Sequence, residues 1–187
     1  MIGPLAYWRG STDFRLLQLI VAGQDIRPIV HNRLQAGANL VRVLGMKANN
    51  TGWALSPYHP DYWSAFHQLI QITREAGMAV EFTAWADTRL LGIPPHDLLA
   101  MWRNTIQTLQ ELDARHVVVE RANEIGHPTH WPTLPQPERP DWFASNGSGL
   151  SDQQPPQPFW NYATYHARRS PAPPSPKPAT NYNPYVF

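Results

Sequence analysis

Three short apolar runs of strand composition begin near residues 40, 79 and 117, in steps of 39 and 38 residues. Each of the first two is followed by a polar loop, an amphipathic segment and a short return, so one unit repeats at an even period. Units of this kind lay successive strands side by side in parallel, joined by right-handed crossovers. The long loops follow the strands and the short ones follow the helices, which gathers polar residues at the carboxyl ends of the strands. The expected class is therefore α/β with one parallel sheet.

The runs themselves are clear. LVRVLGM at 40–46 and Ala79 to Ala86, with Val80, Phe82, Ala84 and Trp85, have the β-branched and aromatic content of buried strands. Pro60 and Asp61 open a helix in which Tyr62, Phe66, Leu69, Ile70 and Ala76 share helical spacing, and Gly77 ends it. Pro94 and Pro95 precede a second, with Leu98, Leu99, Trp102, Ile106, Leu109 and Leu112 on its apolar face. Ahead of these, YWRG at 7–10 reads as a first strand and residues 13–23 as helix or loop. From Asp25 a helix places Ile26, Ile29, Val30 and Leu34 on one face and stops at Gly37.

Fourteen of the 20 prolines lie from Pro128 onward, and there the period loosens. Residues 142–146 and 159–166 read as short strands around a Gly/Ser and Pro/Gln loop. Residues 170–187 form a Pro-rich extended tail, leaving 1–169 as the domain. A chain of 187 residues with 42% hydrophobic and 16% charged content buries a sizeable core. A net charge of +1 without a basic block argues against nucleic acid as partner. No apolar run approaches the roughly 18–20 residues that cross a membrane, and MIGPLAYWRG does not read as a signal peptide. The compartment stays open. Cysteine is absent, which excludes disulfides, thiolate metal sites and cysteine nucleophiles.

Chemistry concentrates in residues 116–130, HVVVERANEIGHPTH. A valine-rich strand there turns polar and delivers Asn123 and Glu124 side by side before Gly126 and Pro128 break it. The carboxyl end of a buried parallel strand is where such folds place reactive groups.

With Glu124 in that position, the chain resembles part of a glycoside hydrolase (β/α)8 barrel. The clan is that of the retaining enzymes with an acid/base Glu on strand four and a nucleophile Glu on strand seven. Counting 7–10 as strand one makes the strand of Glu124 the fourth. The resemblance, which covers roughly residues 7–169, implies an incomplete TIM barrel of about five to six parallel strands. It implies Glu124 as general acid/base and Asn123 as the residue that holds the sugar 2-hydroxyl. Arg42, on strand two, falls where the family places an arginine near the nucleophile, and Tyr165 and His166 correspond to residues after strand six. Trp85 and Asp87 stand at the end of strand three, where many members have His; with His127 they complete the expected substrate-binding set. The chain is also similar in wording to barrel proteins of phage and metagenomic origin. No cofactor or metal is implied. A retaining enzyme needs a second carboxylate about 5 Å from the first. After Glu138 only Asp141 and Asp152 remain, so no strand-seven nucleophile is expected in this chain.

Plainer readings stand beside these. Glu124 could be a strand-end carboxylate paired with Arg42 or Arg121, and Asp87 with Arg89 a loop ion pair. Glu81 and Glu120 lie within strands and would need Arg partners inside the barrel. His127, His130 and Glu124 lack a metal-site spacing. Trp63 and Trp102 belong to packing, whereas Trp53, Trp85, Trp131 and Trp160 lie where they could stack on sugar rings. The alternatives to an enzyme are a non-catalytic carbohydrate-binding or phage structural protein and a plain βα scaffold in which the Asn123–Glu124 pair is accidental. Unpaired strand edges of an open barrel favour self-association.

Overall fold

The computed structural model describes residues 8–137, 142, 144 and 145. Five strands form one parallel sheet in chain order: β1 Gly10–Thr12, β2 Leu40–Leu44, β3 Ala79–Trp85, β4 Val117–Ala122 and β5 Ala144–Ser145. Four helices connect them: α1 Leu16–Val21 and α2 Arg27–Gln35 between β1 and β2, then α3 Tyr62–Ala76 and α4 Pro95–Glu111. This is an incomplete TIM-barrel-like fold. The two βα units read from the repeat, and the strand that follows them, lie where the period puts them.

The amino-terminal region differs from the sequence reading. β1 covers GST at 10–12 rather than YWRG, and Tyr7 lies outside the described residues. Trp8 is buried instead against Leu40 and Val118. Residues 13–23 contain the short helix α1, whose Leu16, Leu17 and Ile20 enter the core. α2 begins two residues after Asp25, whose carboxylate accepts the Arg27 backbone N–H at 3.0 Å. Of the expected face only Val30 within the helix and Ile26 just before it are fully buried; Ile29 and Leu34 pack partly. The short strand expected at 142–146 is present as β5, while 159–166 lies outside the described residues.

Alternation along the strands sorts the core into two parts. Val41, Val43, Val80, Phe82, Val117 and Val119 join one large cluster with the apolar faces of α3 and α4. Leu40, Ala79 and Val118 pack with Trp8 in a separate small cluster on the other side of the sheet. Each fully buried aliphatic or aromatic side chain contributes about 1.5–3 kcal/mol, so the outer cluster is what holds the helices on. Tyr62 ties α3 to the end of β2 by donating to the Gly45 carbonyl at 2.7 Å. Gly45 itself tolerates no side chain, because a Cβ there would stand 2.6 Å from Phe82 Cζ and 2.9 Å from the Ala84 carbonyl oxygen.

His116 fastens the start of β4 to α3, its Nε2 donating to the Ile70 carbonyl at 3.1 Å beside Thr73 Oγ1. Burial, then the nearby Arg74 charge, push its pKa from 6.5 down to about 4, against the pull of the Ile70 carbonyl. Burial lowers His130 as well. A histidine of the unfolded chain takes up its proton near 6.5 while His116 in the fold does not. The stability it contributes is therefore complete above that pH and is lost as pH falls toward 4. Discounted for partial exposure, the loss is roughly 1–3 kcal/mol. Denaturant unfolding at a series of pH values should show this decline, and His116→Gln should flatten it.

Candidate active site

The site grows from the carboxyl ends of β2, β3 and β4. The register sets Arg42 opposite Glu81 and Thr83 opposite Glu120, so side chains far apart in sequence meet on one side of the sheet. Arg42 Nε lies 3.1 Å from Glu120 and 3.3 Å from Glu81, and its Nη2 reaches Glu120 again. Thr83 donates to the same Glu120 oxygen at 2.5 Å. Both glutamates are fully buried and Arg42 nearly so. The expectation that these in-strand carboxylates require an arginine is met by this residue. Phe14 completes the group, with the Arg42 guanidinium 5.6 Å from its ring centre.

Above this cluster stand Asn123 and Glu124. The Asn123 N–H donates to the Trp85 carbonyl at 2.9 Å, which carries the β3–β4 pairing one residue past the strand. Its side-chain Oδ1 accepts from Arg42 at 3.2 Å, and its backbone carbonyl accepts from His130 Nε2 at 2.6 Å. The His130 tautomer follows from its other nitrogen. The Trp131 N–H donates to Thr88 Oγ1 at 3.3 Å, leaving that hydroxyl to donate to His130 Nδ1 at 3.2 Å. With Oδ1 occupied, the Asn123 amide nitrogen keeps its two hydrogens for other acceptors. Glu124, half-buried, takes φ of 48°, and Asp87 at the end of β3 takes 50°. Left-handed backbone at two neighbouring strand ends is a sparse conformation for side-chain-bearing residues, held by the hydrogen bonds around it.

The expected site residues divide into three groups. Arg42, Asn123 and Asp87 are drawn into the strand-end network, with Glu124 next to Asn123. His127 sits one turn beyond, its N–H on the Glu124 carbonyl at 2.9 Å and its Nδ1 2.9 Å from Thr129 Oγ1. Asp87 is not paired with Arg89, as the simpler reading had it. Lys47 reaches it at 2.8 Å, while Arg89 donates to the Pro128 carbonyl at 2.6 and 2.9 Å. Burial opposes ionisation of Asp87, but hydrogen bonds from Lys47, Thr129 and the Ala48 amide, with the Lys47 charge, outweigh it and hold its pKa below the usual range. Trp85 is placed differently from a sugar platform: it is fully buried, 6.1 Å from the Trp102 ring of α4 and under the Arg121 guanidinium. Arg121 turns to the Pro135 carbonyl and Gln136. Tyr165 and His166 lie outside the described residues, as do Trp160, Glu138, Asp141 and Asp152. Sequence reasoning missed Thr83, Thr88 and Lys47 as members of the site. Threonines carry no motif of their own, and only the register reveals their partners.

No protein-family model matches the chain, and neither does any curated protein. Among solved structures, a glycoside hydrolase family 5 protein from Bacteroides vulgatus superposes with a TM-score of 0.50 at 14% identity, over 66% of this chain and 30% of that one. Another, a glycoside hydrolase, gives 0.48 at 12% identity over 66% and 31%. The chain thus spans less than a third of the length of each of these two structures. The likeness to the first is one of fold alone.

Proposed function

We propose that the chain acts on carbohydrate at the ends of β2, β3 and β4, with Glu124 as general acid/base and Asn123 orienting the sugar. The observation that carries this is the Arg42–Asn123 hydrogen bond beside Glu124. It directs an amide donor, rather than an acceptor, toward a ligand hydroxyl oxygen while the neighbouring carboxyl stands ready to exchange a proton. In the forward step the Glu124 carboxyl gives its proton to the glycosidic oxygen as the bond to the sugar carbon breaks. The attacking carboxylate of a retaining cycle comes, in this reading, from an associated chain, since no strand-seven glutamate follows in this sequence. His127 and Asp87 border the sugar.

A second reading, binding without turnover, is favoured by one specific arrangement. Glu81, Glu120 and Asp87 are each committed to a cation, so they support a recognition surface better than a nucleophile. Both readings require sugar at the strand ends. Titrating the isotope-labelled protein with neutral oligosaccharides should shift the Asn123 side-chain amide and the Glu124 and His127 backbone signals. Shifts confined to other regions, or none at millimolar ligand, would remove both.

A further inference from the structure

A pocket of about 370 Å³ opens at the carboxyl end of β1, apart from the strand-end carboxylates. That volume suits a small organic ligand. Its walls include Phe14, Leu19 and Ile29, with Trp53 and Arg15 also lining it. The charges there do not cancel. Asp13, the lining carboxylate, is held by both Nε and Nη2 of Arg33 at 2.6 and 2.7 Å. Arg15 is exposed, uses its Nε on Gln18 at 3.2 Å, and forms no ion pair among the described residues. Its guanidinium stands 6.0 Å from the Trp53 ring centre, and Lys47 stands 5.9 Å from the same ring. The pocket therefore combines apolar walls, an aromatic ring with cations at its face, and an Arg15 guanidinium that keeps its two terminal amino groups for an anion.

From this the geometry points to a second binding site for a ring-bearing carboxylate: the anion on Arg15, the apolar face of the ring on Trp53. A guanidinium presents paired donors that match a carboxylate, and an aromatic ring accepts the flat face of an aryl group or a sugar. The shared chemistry has two sources, a free aromatic acid and the uronic acid unit of an acidic glycan. The site joins the strand ends through Phe14, which lines the pocket and packs under Arg42. It does not depend on Glu124 turning anything over.

The test is calorimetric titration of the full chain with benzoate, galacturonate and, as neutral control, galactose. Arg15→Gln, Trp53→Ala and Glu124→Gln are titrated in parallel after their melting profiles show that they fold. At least one acid should bind, with about tenfold weaker affinity in Arg15→Gln and a loss in Trp53→Ala, and no change in Glu124→Gln. Benzoate alone would assign an aromatic acid, and galacturonate alone an acidic sugar. Equal binding of galactose and galacturonate, indifferent to Arg15→Gln, would overturn the proposal while leaving the carbohydrate reading intact. Acid binding lost in Glu124→Gln but not in Arg15→Gln, or no acid binding at all, would also overturn it.

Discussion

Arg42→Leu should destabilise the protein by about 3–5 kcal/mol at neutral pH, because it strands two buried carboxylates without their cation. Glu81 and Glu120 have no exposure to water through which to recover the lost interaction. At roughly 2–4 °C per kcal/mol for a domain of this size, thermal unfolding should shift down by about 6–20 °C. A triple variant, Arg42→Met with Glu81→Leu and Glu120→Leu, separates cost from purpose. Apolar replacement of a whole buried ion cluster is often neutral for stability, so most of the loss should be recovered. The Asn123 amide would still lack its hydrogen bond from β2. Recovered melting with altered Asn123 side-chain signals would mark the cluster as a device for placing that amide. Arg42→Leu melting like the parent would show that the buried charges are not coupled as described.

The parts of the fold legible in the sequence are those encoded locally. The apolar runs beginning at Leu40, Ala79 and Val117 and the spacing of Tyr62, Phe66 and Leu69 on α3 each mark an element from its own residues. β1 was misplaced because GST has no apolar period; it is a strand through its pairing with residues 40–42. The strand-end position of Glu124 was legible for the same local reason, as was the need of Glu81 and Glu120 for an arginine. What the sequence could not show is pairing across the sheet. Arg42 and Glu120 are 78 residues apart, and they meet through two successive registers. Asp87 was matched with its near neighbour Arg89, yet the fold brings Lys47 to it from the end of β2. Trp85 looked available at a strand end until α4 supplied Trp102 to cover it.

Glu124→Gln carries the other large effect. The substitution keeps the size of the side chain and its capacity for hydrogen bonding but removes the exchangeable carboxyl proton. Loss of a positioned general acid lowers turnover by about 10²–10⁴-fold. The loss should depend on the leaving group. A sugar or alkyl alcohol departs poorly without a proton, whereas an activated phenol departs well as the anion, so the variant should retain more activity on the activated aryl glycoside. A role confined to structure would lower both rates alike and would also lower the melting temperature. The direct measurement is therefore hydrolysis of matched pairs of glycosides, one with a poor and one with an activated leaving group, by the parent chain and by folded Glu124→Gln, with any associated chain that completes the site included. The account predicts turnover by the parent, a fall of at least about 100-fold in the variant on the poor leaving group, and a smaller fall on the activated one. Equal rates for parent and variant, or glycan binding with no hydrolysis by the parent on any pair, would contradict Glu124 as a working acid/base.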